Sequence, residues 1–440
     1  MSFCEECGKP LEPGLQFCEY CGAKIDEEAI LHYFQETIES GIVYTNLSLL
    51  SKKLNTTVLT LSNSIECFIN TARRRGVDYT LVDVSATFAS VGSIESHIKE
   101  LELIVQKLHP KYLFILGSSD VIPSIKWENE ASDWMSDSEI SSDLPYATLD
   151  TNSPFSGQEY DFLSNSLRVG RLPNIDFNTY FDNIAYRTKD CESINKFAET
   201  AKVWVNVTKD ICSKYGANHN VITSPDYEVS STIEMLPLDT DLMFFNLHGS
   251  NLTKYWYGQW NDSYPEAVAP FTFKQLYRPY FLAVSACYGA DYEDRELDES
   301  ILLSALSGKC ISFLGSSCIA FGRQDPPGSC ADVIAEEYLT ELCNGSSAGD
   351  SLAAARQAIS KGISPEEIKT LAEFSLYGDP SLRLIESNSN DFSSKTVDVP
   401  FKNGINVPIP NTSKAIKLEL CTVNQKIAGL IEETISCKFD

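Results

Sequence analysis

Apolar residues are arranged in short, nearly continuous runs, which are separated by longer segments of helical periodicity. Such runs occupy residues 112–117, 242–247, 280–286 and 310–314, and the segment 94–108 shows helical spacing. Runs that lack a polar residue at every second position are typical of parallel strands whose two faces are both covered. Strands that alternate with helices at this spacing predict an α/β protein built on a parallel sheet.

The same pattern divides the chain into segments of different character. Residues 1–25 contain few long apolar side chains, so they could not fold without a crosslink or a bound metal. The acidic, serine-rich residues 125–165 are interpreted as a long loop. Three short helices predicted between residues 26 and 76 could also form a helix-turn-helix, although the single basic triplet at 73–75 is a weak nucleic-acid footprint. We expect a small crosslinked or metal-bound unit at 1–25, a helical connector at 26–76, an N-terminal α/β subdomain at 77–200, a second α/β subdomain at 201–386 and a short β-rich extension at 387–440.

The composition of the chain argues against several classes of partner and location. The chain has 440 residues, is 43% hydrophobic and carries a formal net charge of −26. That charge would repel nucleic acid and anionic lipid surfaces, so it argues against both as general partners. No apolar run approaches the roughly 20 residues of a membrane span, and the first residues lack the basic and apolar parts of a signal peptide. The 14 cysteines show no disulfide framework, so we expect reduced thiols in a cytoplasmic protein.

Two Cys-x-x-Cys pairs near the N-terminus predict a metal site. Cys4 and Cys7 form the first pair, and Cys18 and Cys21 form the second. Four thiolates suit tetrahedral Zn²⁺ and leave no open coordination position, so the predicted zinc is structural. Its binding would supply the folding free energy that this small segment lacks. A pair of disulfides and an iron site are the alternatives, and a reducing cytoplasm disfavours the first.

Reactive side chains follow two of the predicted strands. His248 and Gly249 come directly after the run 242–247, and Cys287 comes directly after the run 280–286. Because the carboxyl ends of parallel strands meet at one edge of a sheet, we expect the imidazole and the thiol to share a cleft. A cysteine attacks as its thiolate, and a nearby histidine can take its proton and later protonate a leaving amine. The N–H groups of Gly249 and Cys287 would then stabilise an oxyanion.

These segments resemble caspase-fold cysteine peptidases, and gingipains in particular. The resemblance rests first on Asn-Leu-His-Gly-Ser at 246–250 and on Ser-Ala-Cys at 285–287. Further landmarks follow in the same order as in gingipains, at 112–117, 120–123, 142–146, 169–173 and 377–382. The resemblance spans about residues 78–384. It implies an α/β fold of the caspase type, which is a parallel-sheet α/β/α sandwich with two subdomains, here preceded by the small zinc ribbon.

The resemblance also implies roles for particular residues. It makes His248 and Cys287 the dyad of a peptide-bond hydrolase. Gingipains place one acidic residue behind the histidine and another in the specificity pocket, both upstream of the His-Gly pair, and Asp210 is the candidate for such an acid here. An acid in that pocket would favour cleavage after Arg or Lys through charge pairing. Phe321 is the candidate for an aromatic wall of the pocket, and the alternatives are a solvated loop aspartate and a core phenylalanine.

We therefore expect a cysteine endopeptidase that acts on protein or peptide substrates. Its zinc ribbon would regulate it or recruit it through a protein partner. One alternative is a catalytically silent caspase-fold module that binds partners and uses the ribbon as a docking unit. Another is a zinc-ribbon nucleic-acid protein with an incidental α/β domain, which the acidic balance of the chain opposes.

Overall fold

The computed structural model describes most of the chain between residues 38 and 385. The described ranges are 38–131, 137–164, 166–185, 194–217, 221–361 and 364–385, together with the backbone of four short strands. Residues Thr37–Glu386 form one compact unit, and Met1–Glu36 with Ser387–Asp440 form another. The short strands belong to the second unit and form two antiparallel pairs, Ser2–Phe3 with Pro10–Leu11 and Val397–Pro400 with Asn406–Ile409.

One ten-stranded sheet forms the centre of the larger unit. The strands described in this unit are β1 (Glu39–Thr45), β2 (Val77–Asp83), β3 (Tyr112–Leu116), β4 (Ile125–Glu128), β5 (Glu139–Ser142), β6 (Arg168–Leu172), β7 (Lys196–Ala201), β8 (Val221–Ser224), β9 (Leu242–Asn246), β10 (Trp256–Tyr257), β11 (Glu266–Val268), β12 (Tyr280–Ser285), β13 (Cys310–Ser316) and β14 (Phe374–Gly378). The order across the sheet is β8-β7-β9-β12-β13-β14-β6-β3-β1-β2. The remaining strands form two small antiparallel ribbons, β4 with β5 and β10 with β11.

Helices connect the strands and cover the sheet. They are α1 (Leu47–Lys53), α2 (Val58–Arg74), α3 (Ile94–Leu108), α4 (Leu144–Thr148), α5 (Phe177–Ala185), α6 (Val205–Lys214), α7 (Val229–Met235), α8 (Ile301–Ser307), α9 (Ala331–Cys343), α10 (Ala348–Ile359) and α11 (Pro365–Glu373), with 3₁₀ turns at Pro154–Ser156 and Lys202–Trp204. Within the described ranges, no helix combines the length and the apolar character that crossing a membrane requires.

Helix α2 shows how the sequence produces this packing. Thr57 caps its N-terminus, where the threonine side chain accepts a hydrogen bond from the Thr60 amide. Its buried residues recur at helical spacing and are Leu61, Ile65, Phe68 and Ala72. The ring of Phe68 lies 5.3 Å from that of Phe114 on β3, centroid to centroid. Strands β3, β9 and β12 are buried along their whole length, which confirms the predicted α/β architecture with a large, mostly parallel sheet.

One antiparallel contact divides the sheet into two halves. Strand β13 pairs with β14 in antiparallel fashion, and every other neighbouring pair in the sheet is parallel. Strands β8, β7, β9, β12 and β13 therefore run in one direction, and β14, β6, β3, β1 and β2 run in the other. The carboxyl ends of β9 and β12, which precede His248 and Cys287, consequently lie at the same edge.

Several of the outer sequence landmarks meet on β14 and β6, next to the junction of the two halves. Gly170 of β6 lies so close to β14 that a Cβ at residue 170 would come within 2.2 Å of the Gly378 carbonyl oxygen. Fully buried Arg171 donates two hydrogen bonds of 2.6 Å to the carboxylate of Asp143. These landmarks therefore act in packing, because they set how β14 and β6 lie against each other and against the helix that follows residue 143.

The structure differs from the predicted organisation at four points. Residues Glu39–Thr45, which fall in the predicted helical connector, form strand β1 between β2 and β3, so the connector prediction is wrong there. The packing of α2 on the sheet likewise replaces the helix-turn-helix alternative. The loop predicted over 125–165 contains β4, β5 and α4. The boundary expected between residues 200 and 201 falls inside strand β7 (Lys196–Ala201) of the continuous sheet.

Candidate active site

Strands β9 and β12 bring His248 and Cys287 to equivalent positions on the sheet edge. The two strands are parallel neighbours, and Asn246 pairs with Ser285 at their ends. His248 and Cys287 each lie two residues beyond that pair. This is the arrangement that the dyad prediction requires, since each reactive residue leaves its strand beside the other.

Gly249 lies against the backbone of Cys287. A Cβ at residue 249 would be 1.8 Å from the Cys287 carbonyl oxygen and 2.9 Å from its carbonyl carbon. A side chain of any kind would overlap these backbone atoms, so only glycine fits at this position. The segment that carries the imidazole and the segment that carries the thiol are therefore in direct backbone contact.

The Cys287 thiol is partly buried and faces the loop that follows β13. It donates a hydrogen bond to the Ala320 carbonyl oxygen, with a sulfur–oxygen distance of 3.6 Å. Burial raises the pKa of this thiol, and the carboxylates of Glu373 and Asp137 raise it further. The hydrogen bond with the Ala320 backbone and the charge of Lys369 lower the pKa and so oppose this effect. Cys287 is therefore a protonated thiol in this state and needs a base before it can attack a carbonyl carbon.

Asp137 holds together the two loops beside the thiol. One of its carboxylate oxygens accepts a hydrogen bond from the Tyr288 hydroxyl, and the other accepts one from the Ile319 N–H at 2.7 Å. Tyr288 has a left-handed backbone with φ of 53°, and its N–H donates to the Cys318 carbonyl oxygen at 2.8 Å. The residue that follows the thiol is thus fixed by both its side chain and its backbone, in a conformation that is strained for a non-glycine residue.

A buried ion pair lies under the same loop. The Lys369 ammonium and the Glu373 carboxylate are both fully buried and are 2.8 Å apart. Lys369 also donates to the Ile319 carbonyl oxygen, and the Cys318 thiol donates to Glu373 at 3.1 Å. Buried charges need partners of this kind, so the pair fixes the loop that carries the carbonyl contacting Cys287.

His248 contacts two aromatic rings and is bonded to an amide. Its ring centroid is 4.3 Å from that of Trp204 and 5.4 Å from that of Tyr264. Its Nε2 lies 2.7 Å from Oε1 of Gln259, and its backbone exchanges two hydrogen bonds with Tyr257, at 2.9 and 2.8 Å. Burial lowers the pKa of the imidazole, and the bond to Gln259 opposes that effect. The neutral ring, which is the form that can accept a proton, is favoured.

The two predicted pocket residues lie in different surroundings. Phe321 directly follows Ala320, whose carbonyl contacts the thiol, and its ring centroid lies 5.1 Å from the Lys369 ammonium. Asp210 lies on α6, with its carboxylate 3.9 Å from the Lys214 ammonium, and its charge acts on Glu336 of α9. In the described part of the chain, Asp210 therefore bonds within its own helix and affects α9 through its charge. Phe321 is beside the candidate nucleophile, and the role of Asp210 stays a prediction.

The predicted zinc ligands Cys4, Cys7, Cys18 and Cys21 lie outside the described residues. Inside the described ranges, no group of three or more His, Cys, Asp and Glu side chains is arranged to hold a metal ion. All cysteines of those ranges are free thiols. The zinc ribbon therefore stays a prediction from spacing.

A protein-family comparison decides which family this is. The model of peptidase family C25 matches residues 55–385, a span that includes His248 and Cys287. This chain belongs to peptidase family C25. The C25 protein is therefore a cysteine-type peptidase, a hydrolase that acts on protein or peptide substrates. No curated protein matches the chain significantly.

Solved gingipain structures share the fold of this C25 peptidase. The crystal structure of the Arg-specific cysteine proteinase gingipain R (RgpB) has 14% identity and a TM-score of 0.56, and the match covers 79% of this chain and 78% of that one. The complex of Porphyromonas gingivalis RgpB pro- and mature domains has 15% identity and a TM-score of 0.57, with 78% and 79% covered. These matches confirm the resemblance to gingipains and the caspase-like α/β fold.

Proposed function

We propose that this C25 peptidase is an endopeptidase whose catalytic dyad is His248 and Cys287. The observation that carries the proposal is the equivalent position of the two residues on adjacent parallel strands, with Gly249 against the Cys287 backbone. Cys287 supplies the nucleophilic sulfur, and His248 takes the thiol proton and returns it to the leaving amine. The N–H groups of Gly249 and Cys287 stabilise the oxyanion.

A covalent probe tests the dyad. A peptidyl acyloxymethyl ketone should label the wild-type protein and should not label Cys287→Ala. Cys67→Ala is the matched control, because Cys67 is an exposed free thiol on α2 and has no part in the proposal. Label that persists in Cys287→Ala would overturn the assignment of the nucleophile. A protein that takes no label and cleaves no peptide would instead support the silent binding module.

We further propose that cleavage occurs after Arg or Lys. Asp137 supports this, because its carboxylate is bonded to the residue after Cys287 and its charge acts on the thiol. A carboxylate bonded to the residue that follows the nucleophile could pair with a basic side chain of the substrate. Asp210 remains the second candidate for the acid.

A peptide library resolves the specificity. We expect the wild-type protein to prefer Arg or Lys before the scissile bond. Asp137→Asn and Asp210→Asn form a matched pair, and the variant that loses the preference identifies the acid. A preference for apolar or acidic residues would contradict the proposal.

We also propose that Cys4, Cys7, Cys18 and Cys21 hold one structural Zn²⁺ in a ribbon that recruits a protein partner, in a reducing cytoplasm. Their spacing and thiolate chemistry support the zinc, and the free thiols of the described ranges suit a reducing compartment. Elemental analysis of the purified chain should give about one zinc per chain. Cys4→Ser with Cys7→Ser should remove it, and a metal-free wild-type protein would refute the site.

A further inference from the structure

Gln259 occupies the position directly beside the candidate catalytic imidazole. Its Oε1 lies 2.7 Å from Nε2 of His248. The gingipain resemblance implied an acidic residue behind this histidine, yet the described side chain bonded to Nε2 is a neutral amide. An amide presents an oxygen that only accepts and a nitrogen that only donates, so its orientation determines which proton His248 carries.

The surrounding contacts fix the orientation of this amide. The Gln259 side-chain nitrogen lies 3.3 Å from the carbonyl oxygen of Asn261 and 2.9 Å from the Tyr264 hydroxyl. A carbonyl oxygen can only accept a hydrogen bond, so the NH₂ group must face Asn261 and the amide oxygen must face His248. Nε2 of His248 is therefore the donor in the bond to Gln259.

The backbone holds Gln259 in this place. Trp260 and Ser263 exchange two backbone hydrogen bonds of 3.1 Å across a tight turn, in which Asn261 has φ of 53°. On the other side of Gln259, the backbone of Tyr257 pairs with that of His248 in both directions. The ribbon of β10 and β11, together with the turn between them, therefore anchors the backbone of His248 and supplies the amide that bonds its side chain.

We propose that Gln259 is the positioning residue of the dyad: it holds His248 as the Nε2–H tautomer and so makes Nδ1 the nitrogen that accepts the Cys287 proton. This inference rests on the proposed peptidase dyad. In the acylation step the S–H bond breaks, its proton passes to Nδ1, and the sulfur electron pair forms a bond to the scissile carbonyl carbon. When the carbon–nitrogen bond breaks, the same proton leaves Nδ1 for the amine nitrogen, and a thioester remains.

A neutral amide also decides the charge state of the resting dyad. A carboxylate beside Nε2–H would stabilise the imidazolium, whereas Gln259 carries no charge to do so. Among the described residues, the titratable side chain in contact with the ring is that of Tyr264. Tyr257 bonds the His248 backbone, and the Cys287 backbone lies against Gly249. The charged groups of the adjacent 3₁₀ turn and of the turn after β8 are Lys202 and Asp226, which pair with each other at 2.8 Å. The dyad therefore rests as a neutral imidazole and a thiol, and the proton moves only when the substrate is attacked.

Nuclear magnetic resonance of the histidine nitrogens tests the tautomer without activity. The full chain is labelled at its five histidines in the Cys287→Ala background, and comparison with His248→Gln assigns the signal. We expect a protonated Nε2 at neutral pH and an imidazole pKa below the ordinary value. Gln259→Glu should raise that pKa by roughly one unit or more. A proton on Nδ1, or a pKa that Gln259→Glu leaves unchanged, would overturn the inference.

Enzyme kinetics separate positioning from simple packing. In Gln259→Glu the acidic limb of the kcat/KM profile should move to higher pH by the same amount, while the rate above that limb is kept. Gln259→Leu has no acceptor for Nε2–H, so kcat should fall roughly 100-fold or more at every pH with KM little changed. Gln106→Glu, at an exposed position on α3, controls for the added charge and should leave the profile unchanged.

Equal losses in the Glu and Leu variants at all pH values would show a packing role and overturn the inference. The peptidase activity of Cys287→Ala tests the dyad proposal separately. That proposal fails if the variant keeps activity, whatever the tautomer of His248 is.

Discussion

The backbone of Gly249 both contacts the Cys287 backbone and carries a proposed oxyanion donor. We predict that Gly249→Ala lowers kcat roughly 10²- to 10³-fold, the usual effect of losing an oxyanion donor. The physical reason is that the added methyl would lie 1.8 Å from the Cys287 carbonyl oxygen, so the loops at residues 249 and 287 must separate. Peptide hydrolysis and thermal unfolding of the same samples measure the effect.

Gly308→Ala is the control for this prediction. A methyl group there would lie 3.3 Å from its nearest neighbour, the Ala305 carbonyl oxygen, and the backbone angles of φ −93° and ψ −116° lie outside the regions that alanine favours. The unfolding temperature should therefore fall, while activity should stay close to wild type, because Gly308 precedes β13 and lies at the opposite edge of the sheet from Cys287. If Gly249→Ala were equally active, the backbone contact with Cys287 would not be needed for catalysis.

Glu199 provides a prediction about stability and pH. Its side chain is fully buried on β7 and accepts a hydrogen bond from the Thr232 hydroxyl at 3.0 Å. Burial raises the pKa of Glu199 to about 8, whereas an unfolded glutamate has a pKa of about 4.3. Because the folded value is the higher one, its stabilising contribution is complete below about pH 4 and is lost as the pH rises towards 8.

Glu199→Gln should therefore gain stability over the wild-type protein as the pH increases. Glutamine keeps the acceptor for Thr232 and cannot ionise, so the difference in unfolding free energy should grow between pH 5 and pH 8. Urea unfolding at several pH values measures it. Glu66→Gln, at an exposed position on α2, should show no such trend. A difference that does not vary with pH would mean that Glu199 is ionised in the folded protein.

At the residue scale, the sequence alone predicts a functional residue only where that residue follows a predicted strand. His248, Gly249 and Cys287 could be proposed because each follows an apolar run that predicts a strand end. Gln259 and Asp137 could not be proposed from the sequence, since both are single polar residues in irregular segments. Their roles come from contacts with residues that are distant in the sequence, such as the bond between Asp137 and Ile319.

At the element scale, the loop between β13 and α9 depends on a charge pair supplied by α11. Lys369 and Glu373 are both fully buried, and they bond the Ile319 carbonyl and the Cys318 thiol. We predict that Lys369→Met destabilises the protein by about 3–5 kcal/mol, because it leaves a buried carboxylate without its cation. Urea unfolding measures the loss.

The double variant Lys369→Met with Glu373→Leu distinguishes charge from packing. Since it removes both charges, it should recover most of the stability that the single change costs. Lys214→Met is the matched control, because the Lys214–Asp210 pair spans 3.9 Å at the surface and should contribute little. A double variant as unstable as the single one would show that the bonds to the loop, rather than the buried charge, dominate.

Strand and helix types were predictable where the apolar pattern was long, and less so where it was short. The runs at 242–247 and 280–286 correspond to β9 and β12 because both are buried on two faces. Strand β1 was missed because Gly41 to Tyr44 is a short apolar stretch between two predicted helices, and such a stretch does not distinguish a strand from a helical turn. Its pairing with β2 and β3 depends on non-local contacts that a local pattern does not contain.

At the scale of the whole molecule, Asp379 connects the end of β14 to the segment that contains Arg75 and Tyr79. Its fully buried carboxylate accepts hydrogen bonds from Arg75 at 2.8 Å and from the Tyr79 hydroxyl at 2.6 Å. Its N–H donates to the Tyr180 hydroxyl at 2.8 Å. Residues that are about 300 positions apart in the sequence therefore meet at the carboxylate of Asp379, directly after β14.

We predict that Asp379→Ala destabilises the protein by about 3–5 kcal/mol, because it leaves the partly buried Arg75 guanidinium without its carboxylate. The loss should also loosen the half of the sheet formed by β14, β6, β3, β1 and β2, because Asp379 joins the end of β14 to Arg75 and Tyr79. Unfolding followed by tryptophan fluorescence and by circular dichroism should therefore coincide in the wild-type protein and separate in the variant. Asp78→Ala is the matched control, since it removes an Arg–Asp pair with Arg73 that is half exposed and contributes little. If both variants unfolded like the wild-type protein, the close strand contact at Gly170 and Gly378 would be sufficient to hold the sheet together, and the carboxylate would serve only local geometry.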